Sequence, residues 1–164
     1  VSEELCGNIF ENYEKFYDKI DHDKMSVERF LQTVKSKGLI FDPTLFLCIE
    51  NKMDWAIRFV KRANQIGVKI CAGTDYINDL NRPFPFIFDE LDLYVEKCDF
   101  YPMEAIFTVT KVAAEALGIC NKVGTVEVGK QADLLILSGN PFDDIKELRK
   151  IKVVIKRGIE INVD

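Results

Sequence analysis

A chain of 164 residues with 48% hydrophobic and 30% charged content has the make-up of a globular domain, alone or with an appendage, which excludes disordered and collagen-like classes. Its 22 Lys and Arg against 27 Asp and Glu give net charge −5, and no basic run exceeds two residues, so nucleic acid is not an expected partner. No apolar run approaches the roughly 18 to 20 residues that span a bilayer, and Glu3 and Glu4 stand where a signal peptide would be positive, so no membrane is expected either.

In chain order, Phe10, Tyr13, Phe16 and Tyr17 recur near helical spacing and suggest a helix from about Leu5 to Ile20, broken by Asp21-His22-Asp23-Lys24. Ser26 as N-cap, the stripe Val27, Phe30, Leu31, Val34 and the stop at Gly38 predict a second helix. Leu39-Ile40-Phe41 reads as a buried strand entering the turn Asp42-Pro43-Thr44. Trp55, Phe59, Val60, Ala63 and Ile66 form the next helical stripe, ended by Gly67, and Val68 to Ala72 is another buried strand. After the loop Asn78 to Pro85, two helices follow: one carrying Ile87, Phe88, Leu91, Tyr94, Val95 and Cys98, and one running from Pro102 to Gly118.

From Asn121 the texture changes to short β runs, Val123–Val128, Asp133–Leu137, Lys152–Lys156 and Ile159–Val163, with Gly129-Lys130, Gly139-Asn140-Pro141 and Arg157-Gly158 as turns. A boundary near residue 120 therefore divides parallel β/α units, residues 1–120, from a β part, residues 121–164. Cys6, Cys48, Cys71, Cys98 and Cys120 never form a Cys-x-x-Cys pair and read as reduced core thiols of a cytoplasmic protein. Opening on Val1 rather than Met, the chain reads as a piece of something longer.

Asp75 lies just past the end of the Val68 to Ala72 strand, the edge at which catalytic groups of a β/α barrel gather. By itself Gly73-Thr74-Asp75 equally suits a turn or helix cap. Phe84 and Phe86, in the loop after Asp75, are candidates to line a substrate pocket, and Arg82 could bind a substrate carboxylate through its planar fork or be a solvated loop residue. Trp55 and Phe88 could line such a pocket too, but aromatic residues at helical spacing read as core. Asp89, Glu90, Asp92 and Glu96 read as the wet face of a helix, Asp133 as structural, and His22, between two aspartates, as a solvated turn residue.

Four segments occur in one order: 67–75, ending Ala72-Gly73-Thr74-Asp75; Asp89-Glu90-Leu91 through Tyr101-Pro102-Met103-Glu104-Ala105; the helix to Ala116-Leu117-Gly118; and 124–137, with Gly129-Lys130-Gln131-Ala132-Asp133 at its centre. With Pro43-Thr44-Leu45 ahead of them and 140–145 and 153–158 behind, they resemble the C-terminal portion of the amidohydrolase superfamily, in its imidazolonepropionase-like and dipeptide-hydrolysing branch. The resemblance covers about residues 38–161.

It implies an α/β fold: the last β/α units of a TIM-like metal-dependent hydrolase barrel, plus part of a small β-sandwich built from both chain ends. It implies hydrolysis of a C–N bond in a small amide, cyclic amide or dipeptide, with Asp75 as ligand of a divalent metal, usually zinc, and as proton acceptor for the metal-bound water. The family's ligands are mostly His, a His-x-His pair among them, and this chain has His22 alone. Two barrel-type strands also fall short of eight. The expectation is thus an enzyme portion whose N-terminal barrel half and metal ligands lie elsewhere, binding no metal by itself and self-associating through its uncovered strands. The alternative is a non-catalytic binding or structural module that keeps the same scaffold.

Overall fold

The structure, a computed structural model, describes residues 25–50, 54–75 and 81–161. The expected helix over Leu5–Ile20 and His22 lie outside them. Helix α1, Met25–Ser36, puts Val27, Leu31 and Val34 into the core, as their spacing requires. It starts at Met25, so Ser26 sits inside the first turn and not at its cap. Strand β1, Ile40–Phe41, follows, then a six-residue helix α2, Leu45–Glu50, which the turn-like Asp42-Pro43-Thr44 did not announce. Helix α3, Asp54–Ile66, buries Ala56, Val60, Ala63 and Ile66 on one stripe, and the Lys35 Nζ of α1 donates to the Ile66 carbonyl at its end at 2.6 Å.

Strand β2, Lys69–Ile70, pairs parallel with β1, Ile40 opposite Lys69 and Phe41 opposite Ile70. This is shorter than the strand expected over Val68–Ala72, but the amides beyond it stay tied: Cys71 N donates to Phe41 O at 2.9 Å and Ala72 N to Thr108 O at 3.2 Å. Helices α4, Ile87–Lys97, and α5, Pro102–Val109, pack over the pair, with Tyr94 stacked on Phe100 at 4.9 Å. The single helix expected from Pro102 to Gly118 divides at Thr110, and α6 runs Lys111–Ala116. Two causes are visible. The Thr108 carbonyl is taken by Ala72, and the hydroxyls of Thr108 and Thr110 bond back to the carbonyls of Ala105 and Ile106.

Beyond residue 120, strands β3, Leu134–Leu137, β4, Ile151–Lys156, and β5, Ile159–Ile161, form an antiparallel sheet in that order. Arg157 and Gly158, at φ 54° and 78°, make the β4–β5 turn that the sequence marks, with both central residues left-handed as a tight hairpin needs. Asp133 is structural as expected: it accepts from the Arg157 amide at 2.8 Å and from Lys156 Nζ at 2.6 Å. Val123–Val128, expected as a strand, is not one. Gln131 N folds back onto Lys122 O, and Val126 and Val128 stand exposed. A 3-10 helix, Ile145–Arg149, sends Ile145 into the main core and Arg149 onto α4.

The described residues thus hold two parallel strands with covering helices and one three-stranded sheet, and no closed barrel. No described helix is long and apolar enough to cross a membrane. Leu135, Ile136, Ile159 and Ile161 are exposed on the sheet strands.

Candidate active site

Parallel strands end at one edge, so β1 and β2 deliver their exits side by side. At the β2 exit stands Asp75, exposed and held at φ 47°; at the β1 exit stand Asp42 and, at φ 44°, Thr44. Left-handed backbone at two non-glycine residues of one edge costs of order 1 kcal/mol each and gathers at functional loops. Asp42 is the residue that sequence reasoning passed over as part of a turn, although it follows its strand as Asp75 follows β2.

The two exits touch. The Asp42 carboxylate faces the amides of Thr44 and Gly73 and feels the Asp75 charge. Partial burial pushes its pKa above the usual carboxylate value, the two amides pull it back, and Asp75 adds a smaller upward push. A Cβ on Gly73 would lie 2.5 Å from Asp42 Oδ2 and 2.9 Å from Oδ1, so a side chain there would push the Asp42 carboxylate aside. Gly73→Ala should therefore displace Asp42 and cost about 1–2 kcal/mol in a thermal melt. In an Asp42→Ala background the same substitution should be nearly neutral, and an equal cost in both backgrounds would deny the contact.

Behind this edge lies Glu90. Placed by the sequence on the wet face of α4, it is fully buried instead. The signal was present: Ile87, Glu90, Leu91, Tyr94 and Cys98 share the helical stripe. Its carboxylate accepts the amides of Leu45 at 2.9 Å and Phe46 at 2.5 Å, the first of α2. Burial pushes its pKa up to about 7 against the hydrogen bonds from the Phe46 and Leu45 amides and the Tyr94 hydroxyl that favour the ion. Asp89 and Asp92 are not simply solvated either: Arg149 Nη2 lies 2.8 Å from Asp92 and 3.5 Å from Asp89. Only Glu96 is on an open face, paired with Lys146.

Arg82 donates to Asp89 at 2.9 Å and lies 4.0 Å over the Phe86 ring. Phe86 is buried against Phe46, and Phe84 packs edge-on against Phe88. A cleft of about 190 Å³ beside this cluster is lined by Phe46, Asp89, Asp92 and Leu93. The structure joins Arg82, Phe84 and Phe86 to one another through α4. Trp55 is half-buried against the core, as its stripe required.

Cys98 is a buried thiol as expected, its pKa pushed to about 12 by burial and then by the Glu90 charge. Cys71 is half-buried, with its thiol raised by burial and then by Asp42, so neither is a ready nucleophile. Cys120 departs from the core-thiol reading, since it is exposed after α6. Among the described residues, no three His, Cys, Asp or Glu side chains converge to hold a metal ion. Asp75, with an oxygen donor exposed at a strand end, fits one corner of such a site.

Comparison with known proteins gives this edge its setting. The profile of the Amidohydrolase family matches residues 17–161. The imidazolonepropionase of Thermoplasma acidophilum is 35% identical over 95 residues, covering 56% of this chain and 23% of that protein. The ochratoxinase of Aspergillus niger is 27% identical over 154 residues, covering 82% of this chain and 31% of its own length. The crystal structure of a Xaa-Pro dipeptidase with bound methionine in the active site superposes with TM-score 0.70 and 28% identity over 81% of this chain and 37% of that one. The chain spans less than half the length of each. With most of its residues matched by the family profile and its α/β arrangement shared with a solved dipeptidase, this chain belongs to the amidohydrolase family.

Proposed function

We propose that this chain forms the C-terminal portion of a metal-dependent hydrolase that cleaves C–N bonds in small amides, cyclic amides or dipeptides, with Asp75 as its catalytic carboxylate. The observation that carries this reading is the position of Asp75: exposed, left-handed and just beyond the β2 end, beside the parallel β1 exit. A divalent metal, zinc by the family resemblance, would supply a water acidic enough to attack the substrate carbonyl when completed by ligands from the rest of the barrel. Asp75 Oδ would be one ligand, take the proton from the attacking water and return it to the leaving nitrogen. Arg82, Phe84 and Phe86 are proposed as substrate-facing through the loop that follows Asp75, in a cytoplasmic protein whose barrel and sandwich are completed by N-terminal sequence. Dialysis of the complete protein against a chelator should abolish hydrolysis of Xaa-Pro dipeptides and N-acyl amino acids, and zinc should restore it. Turnover that survives chelation would overturn the reading.

The same proposal leaves β1, β2 and the sheet strands partly uncovered in this chain alone, with Leu135, Ile159 and Ile161 exposed. The 164-residue chain should therefore elute as a self-associated species. A light-scattering mass equal to the 18.8 kDa monomer would count against it.

A further inference from the structure

We propose that Glu90 is a positioning residue for the active-site edge: from inside the core it fixes the β1 exit loop, and through Asp42 that loop fixes the turn presenting Asp75. This deepens the reading above and rests on Asp75 being the functional carboxylate.

The path is continuous in the structure. Glu90 is fully buried on α4 and accepts the amides of Leu45 and Phe46, 45 and 44 residues earlier in the chain. Those amides open α2, immediately after Asp42-Pro43-Thr44. Leu45 is itself fully buried, so the loop cannot shift without moving the core. Asp42 reaches from this loop against Gly73, so closely that a Cβ there would lie 2.5 Å from its Oδ2, and the Gly73 amide is among the groups that favour its ion. Two residues later stands Asp75.

Capping alone does not account for a carboxylate in this place. The first amides of a short helix are ordinarily satisfied by the hydroxyl or amide side chain of the residue before it, at no desolvation cost. Here that residue is Thr44, its backbone turned to φ 44°, and the acceptor comes instead from a different helix. No Lys or Arg pairs with Glu90 among the described residues. A buried, cation-free carboxylate is costly, and the structure spends it on tying α4 to a strand exit. An acceptor that reaches two adjacent amides at once fixes the direction of the loop as well as its hydrogen bonding.

Residue-resolved amide hydrogen exchange on the 164-residue chain at pH 8 tests the relay without substrate or metal. Glu90→Ala should speed exchange at Leu45 and Phe46 by about tenfold or more and, through Asp42, at Gly73 as well. Asp42→Ala, which leaves no acceptor, should free Gly73 and leave Leu45 and Phe46 protected. Glu90→Gln, which keeps one acceptor oxygen, should restore much of the protection at all three. Release of Leu45 and Phe46 with Gly73 unmoved would reduce Glu90 to a helix cap and overturn the proposal. If Glu90→Ala does not fold, Glu90→Gln carries the test, since partial release must then appear at Gly73 together with Leu45 or Phe46. Loss of the Asp75 reading would show instead as full hydrolysis by an Asp75→Asn enzyme, whatever the exchange pattern.

Discussion

Asp75→Asn is expected to lower kcat of the complete enzyme by about 10²–10⁴-fold with KM within a few-fold of its starting value, because a positioned proton acceptor contributes on that scale in the transition state alone. The substitution suits the site. Asn has the size of Asp and tolerates the left-handed backbone seen at φ 47°, so the turn survives and only the carboxylate, as acceptor and as proposed ligand, is lost. Asp75→Ala would confound loss of the base with strain at that φ. The metal content of the Asp75→Asn enzyme, measured alongside, should fall with kcat, since the same carboxylate would be a ligand. Should Asp75→Asn turn over normally, the proton acceptor is another group, and the adjacent Asp42 is the one the structure offers, to be tested as Asp42→Asn.

What the sequence made readable was local. Apolar spacing placed α1, α3 and α4 because each has one buried stripe, and Gly67 and the Arg157-Gly158 pair marked their ends and turns through backbone chemistry that needs no partner. The place of Asp75 just past its strand was readable for the same reason, as a polar residue at the end of an apolar run, while the role proposed for it came from the family resemblance. What failed depended on partners distant in sequence. Helix α2 opens on amides capped by Glu90, some 45 residues away, so nothing beside Leu45 could announce it. The break at Thr110 depends on Ala72 claiming the Thr108 carbonyl. Val123–Val128 has the composition of a strand, yet its segment turns back on Lys122 rather than joining β3–β5. Glu90 itself sits on the buried stripe of its helix, and reading residue type ahead of helical phase sent it to solvent.

The burial of Glu90 has a consequence for stability that pH exposes. Its carboxyl goes from 4.5 to about 7 on folding, raised by burial, so between those values the folded chain holds a proton that the unfolded chain has released. The associated stability is fully present below pH 4.5 and is lost as pH rises through 7. The size of the change makes the loss roughly 3 kcal/mol between pH 4 and pH 8. Other titrating groups near it do not reverse the sign: Asp42 is also raised, by burial first, and Cys98 and Tyr94 are pushed up and stay protonated throughout. Asp133, held at about 2 by its hydrogen bond from Lys156 and then by the Arg157 amide, works in the opposite sense but only below its ordinary value of 3.8. Thermal unfolding of the chain followed by circular dichroism should therefore show a midpoint that declines from pH 4.5 to pH 8. In Glu90→Gln, neutral at every pH, that decline should largely vanish, leaving the variant at least as stable as the parent at pH 8 even with one of the two amide bonds weakened. A decline of equal slope in the variant would place the titrating group elsewhere and would mean that the Glu90 carboxylate is ionised in the core at neutral pH.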